Sequence, residues 1–139
     1  PCSQEFAKPV VREKFAASVQ KLLLEYGADG LDLDWEYPGI EGHPGHPWMK
    51  EDVANFTALV KAIRTAIGNK QELSFAAGGF TKFLEESIDW KAVTPGQPFM
   101  RAYGKMFRII TMVYSNREIL KLLCLSVILI KPFHQKTDL

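Results

Sequence analysis

Asp32, Asp34 and Glu36 stand at alternate positions of the stretch D-G-L-D-L-D-W-E-Y-P (29–38), with Leu31, Leu33 and Trp35 beside them. In an extended strand, side chains two positions apart share a face, about 6.5–7 Å from one to the next. The spacing therefore predicts one acidic face and one apolar face. The apolar face packs under flanking helices. The acidic face must look into something other than a dry core, because a lone buried carboxylate is costly to ionise. Crowding raises the proton affinity of at least one of the three acids. A carboxyl group that keeps its proton near neutrality can donate it to a leaving group while a neighbour stays charged.

Other chemistries fit carboxylates in this pattern. Two aspartates two apart on a strand can hold Mg²⁺ or Mn²⁺, as in nucleotide-dependent transferases. A solvated edge strand is a purely structural alternative. A calcium loop of the D-x-D-x-D-G kind needs polar or glycine residues between its ligands and a sharp turn, which Leu33 and Trp35 oppose. From the pattern alone, acid catalysis, divalent-cation binding and structure all stay open.

The elements that must position these acids follow from apolar periodicity. Phe15, Val19, Leu22, Leu23 and Tyr26 form one helical stripe that begins near Lys8-Pro9 and stops at Gly27. A strand is expected over Gly30 to Tyr37, closed by Pro38-Gly39. Val53, Phe56, Leu59, Val60, Ile63 and Ile67 form a second stripe, ended by Gly68-Asn69. Glu72 to Ala77 reads as a short buried strand broken by Gly78-Gly79, with a short helix around Phe83 to Ser87. Helix, strand, helix, strand with short connections is the rhythm of parallel βα units, so a parallel sheet covered on both faces is expected. Past Pro95, Phe107 to Tyr114 is a candidate third strand, and Arg117 to Ile130 is either a helix or a strand pair.

Bulk properties bound the function. A chain of 139 residues with 47% hydrophobic composition is enough for one core, and a formal net charge of +1 gives no bulk attraction to nucleic acid or an anionic membrane. Residues 1–95 carry 10 Lys and Arg against 14 Asp and Glu, whereas 96–139 carry 7 against 2. The apolar run Ile119 to Ile130 falls short of the roughly 20 residues of a membrane helix. Cys2 and Cys124 form neither a metal-type spacing nor a framework of several disulfides. The start at Pro-Cys-Ser, without an initiator methionine or a leader, is what a processed chain or a piece of a longer one would show.

The residues 29–38 resemble the D-x-x-D-x-D-x-E signature of family 18 glycoside hydrolases, the chitinases and endo-β-N-acetylglucosaminidases, including Gly30, Trp35, Tyr37 and Pro38. The stretch from about Phe15 to Val93, with F-A-A-S-V before the motif strand and L-S-F-A-A-G-G after it, is also similar to that family. The resemblance implies an α/β fold, a partial TIM (β/α)8 barrel holding roughly strands 4 to 6 with their helices. A full barrel takes about 250 residues, so the first three and the last two strands are expected to be missing and the sheet to stay open. The division implied is a family barrel segment at 1–95 and an atypical basic and apolar tail at 96–139.

The resemblance also implies roles. Glu36 corresponds to the proton donor, Asp34 to the aspartate that turns toward Glu36 and the substrate acetamido group, and Asp32 to the one beneath that shares its proton. Asp29, on the other strand parity, reads as structural. The implied reaction is hydrolysis of β-1,4-linked N-acetylglucosamine polymers by a substrate-assisted, retaining mechanism, which departs from the two-carboxylate rule. No cofactor and no metal are expected, and the partner is an N-acetylglucosamine-containing polysaccharide or glycan, not nucleic acid or membrane. The parent family is secreted or extracytoplasmic. Tyr37 and Trp48 are candidates to stack on sugar rings. Met112-Val113-Tyr114-Ser115 resembles the family's M-x-Y-D strand with Ser115 in the aspartate's place, which makes Tyr114 a third substrate-binding candidate. His43 and His46, in G-H-P-G-H-P, read as a rigid rim loop, since a metal there would need further ligands. Alternatives are a chitin-binding lectin on the same scaffold, which Glu36 argues against, and an inactive truncated product.

Overall fold

The computed structural model describes residues 2–93, together with the backbone of 100–104 and 126–130. Short helix α1 (Cys2–Phe6) leads into α2 (Pro9–Tyr26), then strand β1 (Gly30–Asp34), helix α3 (Asp52–Ile67) and strand β2 (Glu72–Ala77). A π-helical turn (Phe83–Ser87), helix α4 (Trp90–Val93), and strands β3 (Met100–Gly104) and β4 (Ser126–Ile130) follow. The sheet has four strands in the order β3-β2-β1-β4.

The two expected amphipathic helices form where their stripes place them. Pro9 starts α2 at a position where its missing N–H costs nothing, and Gly27 closes it with its N–H on the Leu23 carbonyl. Phe15, Ala16, Val19 and Leu23 are its buried positions, with Leu22 and Tyr26 packed at the margin. α3 buries Phe56, Leu59, Val60 and Ile63 on one side. At its C-terminal end the buried Arg64 closes the turn into β2, its Nη1 donating to the carbonyls of Gly68 and Gln71 at 2.7 Å each.

β1 and β2 are parallel neighbours, as the βα rhythm predicts, and β3, where the sequence reading placed no strand, pairs parallel to β2. Leu31 and Leu33 lie in register with Leu73 and Phe75, and all four are buried. An aromatic chain threads this layer: Phe6 packs on Phe15 at 5.3 Å and on Trp35 at 5.7 Å, Trp35 on Phe56 at 6.0 Å, and Phe56 on Phe75 at 5.4 Å. The Phe6–Trp35 pair is tilted and the other three are edge-to-face, and aromatic pairs at these separations add specificity to the area they bury.

The structure departs from the sequence reading in three further places. β1 ends at Asp34, three residues before Tyr37, although the alternation of buried and open side chains runs on through Trp35 and Glu36. The segment at Phe83–Ser87 is a π-helical turn, and α4 after it had no counterpart in the periodicity. Of Arg117 to Ile130, residues Ser126–Ile130 form a strand that runs antiparallel along the whole of β1, from Gly30 opposite Ile130 to Asp34 opposite Ser126. A strand edge is a row of unpaired N–H and C=O groups, and S-V-I-L-I is rich in the β-branched residues that suit a strand. The candidate strand at Phe107 to Tyr114 lies outside the described residues.

Asp52 ties the N-terminal helix to this core. It is fully buried at the start of α3, where Oδ1 accepts from Ser3 Oγ at 3.0 Å and Oδ2 from the Met49 N–H at 2.9 Å. Asp52→Ala leaves the buried Ser3 hydroxyl without this acceptor, so the stability should fall by about 1–3 kcal/mol. The expected result is a lower urea midpoint with an unchanged slope; an unchanged midpoint would show that the contact adds nothing.

Candidate active site

The acidic face forms because its opposite face is committed to the core. Leu31, Leu33 and Trp35 are buried, so Asp32 and Asp34 on β1, and Glu36 two residues past its end, turn the other way. Exposure grows along the strand: Asp32 and Asp34 are half-buried and Glu36 is exposed. Parallel pairing sets Ser74 of β2 opposite Asp32, and Ser74 Oγ donates a hydrogen bond to Asp32 Oδ1. Tyr37, joined to Glu36 by a cis peptide bond, donates its hydroxyl to Glu36 Oε1 at 3.3 Å.

The chain then turns sharply. Gly39 has φ of 73°, in the left-handed region, and a Cβ there would stand 2.5 Å from Val53 Cγ2, so glycine alone lets the loop close on α3. The buried Ser87 hydroxyl holds the same turn by donating to the Pro38 carbonyl at 2.6 Å. From there residues 40–48 fold back to wall a cavity of about 280 Å³ whose lining includes Trp35, Glu36, Tyr37, His46 and Trp48. Trp48 is 43% exposed at its rim.

Electrostatics follow from this gradient of burial. Burial pushes the Asp32 carboxyl above the ordinary aspartate range, with the Ser74 hydrogen bond pulling the other way. Burial also raises Asp34, and the negative charges of Glu36 and Asp32 raise it further. Tyr37 is raised by burial, then by the charge of Glu36, by the hydrogen bond it donates there, and by Asp34. The expectation that crowding lifts at least one acid is met on Asp34, where neighbouring charges add to burial, whereas Asp32 is raised by burial alone. Such a group can hold a proton within the site while the outermost carboxylate meets solvent.

Of the candidates from sequence, Asp32, Asp34, Glu36 and Tyr37 come together at the end of β1, and Trp48 shares the cavity with Glu36 and Tyr37. Tyr114 lies outside the described residues. Asp29 is exposed, and its carbonyl accepts from the Glu72 N–H at 2.8 Å, a contact that binds β1 to β2. His43 and His46 are exposed with ring centroids 5.0 Å apart, and among the described residues no three His, Cys, Asp or Glu side chains group to hold a metal ion. Sequence reasoning passed over Ser74, Ser87 and Asp52. Only Ser74 carried a signal: as the third residue of a strand beside the motif strand, it falls on the acidic face in a parallel register.

The raised carboxyls have a consequence for stability. A native-state pKa above the unfolded value means that the folded chain binds the proton more tightly, so stability falls as pH rises through the ordinary aspartate range toward the raised value. Asp34→Asn removes the charged form. Its urea midpoint should exceed that of the parent at pH 7, and the gap should narrow as pH is lowered below the ordinary aspartate range. A gap independent of pH, or one of opposite sign, would contradict the electrostatic account.

Comparison with known proteins adds an independent finding. The sequence profile of the Glycosyl hydrolases family 18 matches residues 3–117. Chitinase A1 of Niallia circulans is 39% identical over 99 residues, which cover 60% of this chain and 14% of that protein. The chitinase domain of the spore coat protein CotE from Clostridium difficile superposes with a TM-score of 0.66 at 33% identity, over 73% of this chain and 29% of that one. Chitinase ChiW of a Paenibacillus species, described as a cell-surface-expressed multi-modular enzyme, superposes at 0.60 with 33% identity, over 72% of this chain and 12% of that one. The chain thus spans less than a third of each of these relatives. With the profile matched over most of its length, the chain belongs to family 18 of the glycosyl hydrolases.

Proposed function

We propose that this chain carries the acid-bearing segment of a hydrolase that cleaves β-1,4-linked N-acetylglucosamine polymers of the chitin type, acting outside the cytoplasm. The observation that carries the reading is the single-faced row Asp32, Asp34 and Glu36, graded from half-buried to exposed, which ends beside an aromatic-walled cavity. Membership of family 18 and the chitinase relatives support the same substrate class, and the cell-surface description of ChiW supports the location.

In this reading Glu36 gives its proton to the glycosidic oxygen as the bond to the anomeric carbon breaks. The N-acetyl carbonyl oxygen of the same sugar forms the new bond to that carbon, giving an oxazolinium ion. Asp34 orients the acetamido group and balances its developing positive charge, and Asp32, held by Ser74, takes up or returns the proton that Asp34 shares with it. Water then opens the ring with retention of configuration, Glu36 acting as the base. Tyr37 and Trp48 offer aromatic surface to the sugar rings.

A second reading rests on the exposure of Glu36 and on β4, which runs antiparallel along the edge of β1. It is a chain of hydrolytic ancestry that binds substrate, or folds, without turning it over. A fluorogenic chitobioside separates the two. The hydrolase should release fluorophore, and Glu36→Gln should reduce the rate by about 100-fold or more, the usual worth of a positioned acid. Binding of the chitobioside without release favours a lectin-like role, and turnover unaffected by Glu36→Gln removes the assignment of the acid.

A further inference from the structure

The loop after Pro38 carries a pattern that the reaction outlined above does not use. Residues 42–47 read G-H-P-G-H-P, and both imidazoles, His43 and His46, are exposed. The His46 N–H donates to the His43 carbonyl at 3.0 Å, with Pro44 and Gly45 between them and Gly45 at φ of 84°. Proline in the second position and a left-handed glycine in the third is the residue pattern of a type II turn, which brings its first and fourth residues together. The turn is also anchored. A Cβ at Gly42 would collide with the Glu36 carbonyl, so the chain enters the turn against the backbone of the acid-bearing segment.

Two features of the rings go beyond a tight turn. Their centroids are 5.0 Å apart. An imidazole nitrogen binds a zinc-like ion at about 2.0–2.1 Å, which puts the ring centre about 3.2 Å from the metal. Two rings on one ion are then separated by about 4.5 Å at a right angle and about 5.2 Å at a tetrahedral one. The separation of His43 and His46 falls inside that interval. The second feature is the His43 tautomer. Its Nδ1 lies 3.1 Å from the Pro44 carbonyl oxygen, which only accepts, so Nδ1 carries the proton and donates it. In the neutral ring the lone pair is then on Nε2. Metal-binding histidines are commonly oriented in this way, with the N–H of the other ring nitrogen on a backbone carbonyl.

We propose that His43 and His46 form a two-imidazole site for a divalent transition-metal ion, Cu²⁺ in preference to Ni²⁺ or Zn²⁺. Among the described residues no third His, Cys, Asp or Glu joins the pair, so water takes the other positions on the ion. Imidazole suits these three ions, whereas Mg²⁺ and Ca²⁺ take oxygen ligands. The turn supplies what two unconnected histidines lack, a separation already close to that of the bound state, so little freedom is lost on binding. His46 lines the same cavity as Glu36, and the ion therefore stands at the wall of the candidate active site without engaging its acids. The site does not depend on the hydrolytic reading.

Titration of the metal-stripped chain with CuCl₂, NiCl₂, ZnCl₂ and MgCl₂ at neutral pH tests this. One Cu²⁺ per chain should bind, tighter than Ni²⁺ or Zn²⁺, and Mg²⁺ should not bind. The electron spin-echo spectrum of the Cu²⁺ form should show two imidazole rings on the ion. His43→Gln and His46→Gln should each lower Cu²⁺ affinity by about tenfold or more, at least the worth of a ligand's own hydrogen-bonding partner, and leave one ring in the spectrum. Both side chains are exposed, so the urea midpoints of the metal-free variants should match the parent. His134→Gln, which removes the third histidine of the chain, should leave the affinity unchanged. Equal Cu²⁺ binding by the parent and the His43→Gln, His46→Gln double variant overturns the site, as does a single ring in the parent spectrum. Loss of binding on His134→Gln overturns it too. None of these readouts requires turnover, so they stand whether or not a chitobioside is hydrolysed.

Discussion

Everything at the candidate site depends on the two-sidedness of one strand. Leu31, Leu33 and Trp35 are pressed into the helix layer, where Trp35 meets Phe6 and Phe56. A strand cannot bury one set of alternate side chains without turning the other set away, so the packing of the apolar three fixes the direction of Asp32, Asp34 and Glu36. A slip of one position would place carboxylates against Phe56 and leucines in the site. The energy that holds the acids in place is therefore not their own. It comes from core contacts on the far side of the sheet, which outweigh the repulsion and desolvation on the near side.

The cost of that arrangement is graded. Asp32 is offset by the hydroxyl of Ser74, supplied by the next strand in register. Asp34 feels the negative charges of Glu36 and Asp32 on either side. Glu36 lies where solvent relieves it, with Tyr37 as its donor. Burial thus destabilises both inner anions, the Ser74 hydrogen bond partly offsetting this at Asp32 and neighbouring charges adding to it at Asp34. The two inner acids therefore hold a proton more tightly than an ordinary aspartate.

Much of this was legible in the chain. Alternation over 29–38 gave the two faces of β1, and the stripes beginning at Phe15 and Val53 gave α2 and α3 with their glycine stops. These features are local, each set by residues a few positions apart. What was not legible depends on elements distant in sequence. Ser74 becomes an acid's partner only through register, 42 residues from Asp32. Ser87 reaches Pro38 across 49 residues, and Ser3 reaches Asp52 across the same separation. The π-helical turn at Phe83–Ser87 keeps Phe83 and Ser87 buried, a spacing of four that an α-helix shares, so the pattern of apolar residues does not tell the two helix types apart. The end of β1 at Asp34 was misjudged because side-chain alternation outlasts the ladder of backbone hydrogen bonds.

Strand β4 bears on how this segment relates to a closed barrel. A strand has two hydrogen-bonding edges, and β1 gives one to β2 and the other, over its full length, to Ser126–Ile130. In an all-parallel barrel the second edge would belong to a preceding stave running in the same direction. Here that berth is filled by a strand of opposite polarity from beyond residue 117, where the family match ends. Any further stave could join only after evicting 126–130, so the chain carries its own competitor for the position beside the acid-bearing strand.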